Sequence, residues 1–371
     1  MTAIWKYFSY LGLTGFGGPL SLVQLMRRNY VEKEKVIAGE EFDRVFTLIK
    51  AMPGPLAFQM AVFLGNRLAG PRGGLVAGLG LIMPAFFMML AAAVFYKYLN
   101  QNIYVTAGLN GFQFAVAAVI LWGLKSFFVQ YLKNVYFWII LVISIFLAWQ
   151  GKVPEPVIIV GFGLTMVFIH YFKRQLLDIT GFAGFLLYDQ VHLIFPLFKV
   201  FLYAGTFIFG TGLAIIPFLK SELVDKYQWI TLQTFNDGVT FGQMTPGPIT
   251  ICATFFGFKL AGLLGAIVST AAILLMPYFH MVTWFPKAFK WLSAQNWIYM
   301  FLTGASGAVV GTILFAIYTM NAHHINYPYF WMIFAITLAA LIWKPKIPLI
   351  VLIFIGGVIN LAVTLATMNT I

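Results

Sequence analysis

KAMPGPLA at residues 50–57 and QMTPGPIT at residues 243–250 decide the fold of this chain. Both stretches contain Pro-Gly-Pro, and the second copy lies 193 positions after the first (246 minus 53). Proline has no backbone N–H and clashes with the preceding helical turn, so each copy predicts a break between two helices. Two such breaks in matched surroundings indicate a duplicated unit with a functional site.

The duplication extends well beyond the tripeptide. The same offset of 193 matches Phe16-Gly17 with Phe209-Gly210, and it matches Pro84 with Pro277. A period this long is typical of duplicated domains rather than of a solenoid. We therefore predict three parts, a first repeat at 1–172, a connector at 173–192 and a second repeat at 193–371.

The composition is that of a membrane protein. Hydrophobic residues make up 61% of the chain and charged residues 9%, with a mean hydropathy of +0.90. Soluble globular proteins have about 25% charged residues, so a soluble enzyme and a nucleic-acid-binding module are both excluded. The net charge of +12 comes from basic residues in short connections between apolar runs, where Lys and Arg orient membrane proteins. We predict an all-α integral membrane protein surrounded by a lipid bilayer.

Apolar runs that can each cross a hydrocarbon core of about 30 Å occur five times in each half. They are 4–26, 74–96, 105–124, 134–150 and 154–172, then 193–219, 263–285, 296–320, 328–343 and 347–367. The pieces that follow each tripeptide, 56–66 and 249–258, are shorter than the roughly 20 residues of a spanning helix. We interpret them as half-helices of re-entrant hairpins, whose first arms are 40–52 and 233–245.

The alternative is that both tripeptide segments cross fully, giving six spans per half. With re-entrant hairpins and an external N-terminus, 17 of the 23 basic residues are cytoplasmic, whereas full crossing leaves 14 at best. The six outside are Lys6, Lys97, Lys152, Lys220, Lys226 and Lys259. The positive-inside tendency therefore favours the re-entrant arrangement. Five crossings per half make the second repeat inverted relative to the first, an architecture common among secondary transporters.

The motifs and their order resemble the chromate transporter family. Gly15-Phe16-Gly17-Gly18-Pro19 precedes Pro53-Gly54-Pro55 and Arg67-Leu68-Ala69-Gly70 in the first half, and Phe209-Gly210-Thr211-Gly212 precedes Pro246-Gly247-Pro248 in the second. The resemblance implies a bacterial inner-membrane transporter that exports chromate or a sulfate-like oxyanion, coupled to a proton gradient. The chain departs from the family at Lys50, where Gln is frequent, as at Gln243.

Helix starts within a membrane are natural anion sites. A helix N-terminus has unpaired N–H groups and about half a positive charge, so half-helices starting at Leu56 and Ile249 can bind a tetrahedral dianion between them. Nearby glycines permit close approach, and polar or basic side chains add donors. The predicted substrate-binding residues are Gly17, Gly18, Lys50, Pro53, Gly54, Pro55, Gln59, Arg67, Gly210, Thr211, Gln243, Pro246, Gly247, Pro248 and Lys259. Arg27 and Arg28 are predicted at the cytoplasmic mouth.

Two carboxylates are candidates for proton coupling. Asp43 and Asp237 occupy similar places in the first arms of the two hairpins, and ionisable groups at membrane depth tend to be functional. We expect no cofactor and no metal, because His323-His324 has no third ligand nearby. Cys252, the one cysteine, is expected to be a buried structural thiol. A homodimer is compatible with the sequence.

Two other functions remain open at this point. A passive anion channel would use the same half-helices, although two exchangeable inverted halves favour a carrier. An integral membrane enzyme acting on lipid phosphates would need an acidic metal cluster or an activated nucleophile. The chain has 11 acidic residues and no paired aspartate motif, which disfavours an enzyme.

Overall fold

The fold is built from helices, and the described part of the chain contains no strand. The computed structural model describes residues 1–15, 18–99, 102–172, 193–207, 212–292, 295–345 and 347–368. The α-helices are α1 Thr2–Thr14, α2 Gly18–Arg27, α3 Gly39–Ala51, α4 Leu56–Leu99, α5 Ile103–Gly123, α6 Lys125–Tyr131, α7 Val135–Gln150, α8 Glu155–Phe172, α9 Ile194–Phe207, α10 Ile215–Lys220, α11 Leu232–Met244, α12 Cys252–Val282, α13 Phe285–Leu292, α14 Asn296–Asn321, α15 Pro328–Trp343 and α16 Leu349–Met368. Short π-helices span Arg28–Lys33 and Ser221–Lys226, and a 3-10 turn spans Ile249–Ile251.

Both tripeptides break a helix as predicted. α3 ends at Ala51 and α4 begins at Leu56, while α11 ends at Met244 and a 3-10 turn leads into α12. Gly54 and Gly247 have φ angles of 124° and 107°, a region that L side chains rarely adopt. The two tripeptides therefore share one backbone shape as well as one sequence, and we call them the first tip (53–55) and the second tip (246–248).

α4 consists of two antiparallel arms. Its backbone leaves the helical region at Ala69-Gly70, where Gly70 has a φ of 64°. A Cβ on Gly65 would overlap the carbonyl group of Gly73, so the arms 56–68 and 71–99 lie in direct contact. The short arm therefore leads away from the first tip, and the long arm returns past it.

α12 has the same form. Its backbone breaks at Ala261-Gly262, with a φ of 60° at Gly262. Close packing of Gly257 against Gly265, together with the hydrogen bond of 2.7 Å between Thr254 and Thr270, joins the arms 252–260 and 263–282. Both repeats thus contain a tip, a short arm, a tight glycine turn and a long arm.

The first helix of each repeat differs from the prediction. The runs 4–26 and 193–219 were expected to be single crossings, but α1 ends at Thr14 and α2 begins at Gly18. In the second repeat, α9 ends at Phe207 and α10 begins at Ile215. Glycine weakens helices through its backbone freedom, and a glycine-rich stretch interrupts the apolar run at both places. A single continuous helix at each of these runs is therefore wrong, while the crossings themselves stay a prediction.

The two repeats are interlaced. The long arms of α4 and α12 pack against each other at the centre, α1 packs on α4, and α9 packs on α12. α5 of the first repeat packs on α15 and α16 of the second, whereas α14 of the second packs on α7 and α8 of the first. The molecule is therefore a pair of inverted repeats, each completed by helices of the other.

Several helices are long and apolar enough to cross a membrane. In the described part of the chain there are five by length and composition, Leu56–Tyr96, Ile103–Tyr131, Ile249–Val282, Asn296–Asn321 and Leu349–Thr367, of which the first and third include the glycine turns of α4 and α12. Shorter apolar helices are Val135–Gln150, Glu155–His170, Ile194–Phe207 and Pro328–Trp343. Many large apolar side chains on them are exposed, including Phe87, Val142, Leu264 and Val358, which suits contact with lipid. The chain is a multi-pass membrane protein, and ten crossings remain a prediction.

Candidate functional site

Each tip lies against the long arm of the other repeat. A Cβ on Gly54 would lie 2.9 Å from Cγ of Pro277 in the second long arm. A Cβ on Gly247 would lie 3.5 Å from Cβ of Ala85 in the first long arm. Ala85 follows Pro84, which is the residue that the offset of 193 matches with Pro277. The inverted repeats therefore bring both tips to the middle of the central helix pair.

Buried polar atoms lie beside both tips. Gln59 is fully buried, and its Nε2 donates a 2.7 Å hydrogen bond to the carbonyl oxygen of Pro53. Its Oε1 has no hydrogen-bond partner in the part of the chain that the structure describes, and neither does the buried hydroxyl group of Thr250. Buried polar atoms are usually paired, so these two atoms mark places where a water molecule or a ligand is expected.

The helix starts that follow the tips are buried. Leu56 is 0% exposed and Ile249 is 5% exposed. The first N–H groups of a helix have no partner within that helix. In surroundings of low dielectric constant these donors and the helix dipole attract an anion more strongly than they do in water. The Thr250 hydroxyl lies in the first turn after the second tip and can add one more donor.

The comparison with known proteins agrees with these features. The sequence profile of the chromate transporter family matches residues 2–167 and 195–361. The chain belongs to the chromate transporter family. The two matched regions correspond to the two repeats and together include both tips.

Members of the chromate transporter family from several bacteria are similar to this chain over most of its length. A probable chromate transport protein of Synechococcus elongatus is 31% identical over 95% of this chain and 94% of its own. Chromate transport proteins of Cupriavidus metallidurans and Pseudomonas aeruginosa are 29% and 28% identical, over 84% and 94% of this chain and 80% and 89% of their own. No solved structure matches.

Asp237 is the centre of a buried polar cluster in this chromate transporter family member. Its side chain is fully buried and accepts hydrogen bonds from Tyr96 Oη at 2.6 Å and from Gln113 Nε2 at 2.7 Å. Gln233 Nε2 lies 3.5 Å away and also contacts Asn110 at 3.2 Å. All of these donors are neutral, and the ion pairs of the described residues do not include Asp237.

Asp43, the other carboxylate predicted for proton coupling, lies at the surface. Its side chain is 56% exposed and pairs with Nε of Arg27 at 3.1 Å. Arg27 also contacts Glu32 at 3.1 Å, and the hydrogen bond and charge of Asp43 raise the pKa of Arg27. The second repeat has a related pair between Lys220 and Asp225 at 2.8 Å, at the positions that match Arg27 and Glu32. These pairs connect the ends of α2 and α10 with the segments that follow them.

Arg67 and Lys259 lie far from the tips. Each is near the distal end of a short arm, and twelve residues of helix separate Arg67 from Pro55, or about 18 Å at the usual rise. Arg67 pairs with Glu41 at 2.9 Å, and Nζ of Lys259 lies 4.9 Å from the ring centre of Tyr96. Both side chains are exposed. They lie beside the glycine turns at Ala69-Gly70 and Ala261-Gly262 rather than at the tips.

The remaining predicted residues divide into three groups. Lys50 and Gln243 are half-buried at the ends of α3 and α11, and Gly18 is the first residue of α2. Arg28 is exposed beside Arg27. Gly17, Gly210 and Thr211 lie outside the described residues.

Sequence reasoning missed the partners of Asp237. Tyr96 and Gln113 are buried in helices that are otherwise largely apolar. An amide such as Gln113 in the middle of the apolar run 105–124 was the available signal. Polar groups in such runs usually face other polar groups rather than lipid.

Proposed function

We propose that this protein is a secondary transporter that exports chromate, or a sulfate-like tetrahedral oxyanion, across the bacterial inner membrane in exchange for protons. Membership of the chromate transporter family and three relatives named as chromate transport proteins support the substrate class. The observation that carries the mechanism is the inverted pair of buried helix starts, one after each tip. Both lie beside the central pair of long arms.

The anion binds between the helix starts at Leu56 and Ile249. Backbone N–H groups and the hydroxyl group of Thr250 replace part of its hydration shell. A helix terminus contributes about 0.3–2 kcal/mol to binding an anion, which is too little to dehydrate a dianion. A basic side chain near one of the tips must therefore take part in binding.

Asp237 carries the proton. A carboxyl group can be charged or neutral, and one that is surrounded by neutral donors has no fixed cation to hold it in the charged form. The titratable and charged groups near it are Tyr96, which donates to it, and Lys259, whose Nζ lies 4.9 Å from the centre of that ring. Because Tyr96 belongs to the long arm of the first repeat, a change in the charge of Asp237 acts directly on the contact between the repeats.

Transport follows from the inverted architecture. The first hairpin enters from one side of the membrane and the second from the other, so the two halves exchange roles when one rocks against the other. The glycine turns at Ala69-Gly70 and Ala261-Gly262 are the points where the long arms can pivot, since glycine tolerates changes in φ and ψ.

Purified protein in liposomes tests this function. Radiolabelled chromate should enter the liposomes at a rate that changes with an imposed pH gradient, and sulfate should compete with it. Unlabelled chromate inside should accelerate the entry of labelled chromate, because a carrier must return its site across the membrane. A passive channel shows no such acceleration. If neither chromate nor sulfate moves or binds, the proposed function is wrong.

A further inference from the structure

A small cavity lies between α2, α3, α6 and α14, and it is lined by Lys50, which precedes the first tip by three residues. Its volume is about 40 Å³, and its polar lining residues are Lys50, Ser126, Gln130, Tyr131 and Ser306. We infer that this cavity is an oxyanion-binding subsite in which Lys50 supplies the positive charge. The inference rests on the proposed function. It identifies Lys50 of the first repeat as the basic side chain that the proposed function requires near one tip.

The charge of Lys50 is available to a ligand. Three other basic residues of the first repeat have carboxylate partners, since Arg27 pairs with Asp43, Arg44 with Glu40 and Arg67 with Glu41. Lys50 has no carboxylate within 4.0 Å among the residues that the structure describes. Its Nζ lies 4.4 Å from the ring centre of Phe46. An ammonium group without a carboxylate in a half-buried position attracts an anion.

The other polar groups in the cavity donate hydrogen bonds. Tyr131 and Ser306 are 2% and 6% exposed, so their hydroxyl groups have little access to bulk water. Gln130 Nε2 donates to Tyr131 Oη at 3.1 Å, and the hydroxyl groups of Tyr131 and Ser306 share a hydrogen bond, so one hydroxyl hydrogen of this pair stays available to a ligand. No carboxylate is among the lining residues. This combination of one ammonium and several hydroxyl donors fits a tetrahedral oxyanion and rejects a cation.

The cavity admits small polar groups in its present form. A volume of about 40 Å³ exceeds the 10–15 Å³ that one buried water needs. A tetrahedral anion is larger than a water molecule, so its entry requires Lys50 and Gln130 to move. Both are long, flexible side chains with access to solvent, and such movement is rapid.

The corresponding position in the second repeat has no charged side chain, and the cavity near it is smaller. The offset of 193 matches Lys50 with Gln243 and Ser306 with Gln113. The cavity beside Gln113 has a volume of only about 10 Å³. Asn236 lines this cavity and donates to the carbonyl oxygen of Met320 at 2.8 Å, whereas Gln243 is not among the lining residues. The oxyanion is therefore held on the side of the first repeat, and the two tips are not equivalent.

The experiment compares Lys50→Gln with Lys125→Gln in liposomes. Lys50→Gln installs the residue found at the matching position 243 and should raise the KM for chromate by about tenfold, because a hydrogen bond to a charged group is lost. Lys125 is the matched control, since it precedes Ser126, is exposed and also lies over an aromatic ring, that of Trp122 at 4.2 Å. Its replacement should leave KM unchanged. Lys50→Arg should keep most of the affinity.

Tyr131→Phe and Ser306→Ala give a second and independent test. Each removes one hydroxyl donor with little change of volume and should raise KM by about threefold, as expected for one neutral hydrogen bond. Equilibrium binding of chromate and sulfate to the detergent-solubilised proteins separates affinity from turnover. If Lys50→Gln binds both anions as tightly as the wild type, the proposed subsite is wrong. Transport of chromate by the wild type would then still support the proposed function. If the wild type transports no oxyanion, the proposed function itself fails.

Discussion

At the scale of single residues, the two carboxylates in the hairpin arms have opposite environments. Asp43 forms an ion pair with Arg27 at the surface, where such a pair contributes little to stability. Asp237 is buried with Tyr96 and Gln113, and its partners lie 141 and 124 positions away in the chain. A buried carboxylate held only by neutral donors is costly in a membrane protein. That cost is reasonable where the group takes part in the transport cycle.

Replacing Asp237 with Asn should separate proton coupling from binding. The amide has nearly the same shape as the carboxyl group but cannot change its charge, so gradient-driven chromate uptake should fall to background. Exchange of labelled for unlabelled chromate should continue, because it needs no net proton movement. Both rates are measured in the same liposomes.

Asp43→Asn is the control for this experiment and should retain gradient-driven uptake. Its carboxylate is exposed and belongs to a surface pair. Gradient-driven uptake by Asp237→Asn with the pH dependence of the wild type would exclude Asp237 as the proton carrier.

At the scale of elements, glycine fixes the backbone shape of the two tips and of the turn inside α4. Gly54, Gly70 and Gly247 all have positive φ angles, but their surroundings differ. A Cβ on Gly70 would meet nothing within 4 Å, and one on Gly247 would make an ordinary contact of 3.5 Å. A Cβ on Gly54 would lie 2.8 Å from Gln59 Nε2 and 2.9 Å from Pro277. The first tip is therefore more tightly enclosed than the second.

Alanine substitutions at these glycines should destabilise the protein in a definite order. Gly70→Ala and Gly247→Ala should each cost about 1–2 kcal/mol, the strain of a left-handed backbone. Gly54→Ala adds a collision with Gln59 and Pro277, so it should lower the melting temperature in detergent the most. Transport should fall in the same order. Equal melting temperatures for Gly54→Ala and Gly70→Ala would contradict the tight packing of the first tip.

The elements also show what sequence could predict. Pro-Gly-Pro has a local effect on the backbone, so the helix breaks at 53–55 and 246–248 could be predicted from residue types alone. The break after Thr14 was missed because glycine is common in membrane helices and its effect depends on neighbouring packing. The duplication predicted paired features, and the structure confirms them in details such as the positive φ angles of Lys35 and Gln228, which the offset of 193 also relates.

At the scale of the whole molecule, the interlacing of the repeats could not be predicted. Hydropathy predicts that α5 and α14 cross the membrane. It does not predict that each of them packs on helices of the other repeat. The contact between Asp237 and Tyr96 depends on this arrangement, as does the position of Ser306 near Lys50. Long-range contacts of this kind depend on complementary surfaces of many residues, and a single sequence reveals few of them.

The inverted arrangement also predicts that matched positions of the two repeats face opposite sides of the membrane. Lys33 and Lys226 are related by the offset of 193, and both are exposed at the ends of the π-helices. The chain has one cysteine, Cys252, which is buried and 1% exposed, so Cys252→Ala gives a background without thiols. Single cysteines at positions 33 and 226 can then be labelled one at a time with a maleimide that does not cross membranes.

In intact cells the reagent should label the cysteine at 226 and leave the one at 33 unmodified until the membrane is opened. Inside-out vesicles should give the reverse, because the predicted topology has the first hairpin entering from the cytoplasm and the second from outside. The pair serves as its own control, since both positions have the same local fold and similar exposure. Labelling of both cysteines from one side would mean that the repeats are parallel, and an anion could then not be bound between opposed helix starts at the two tips.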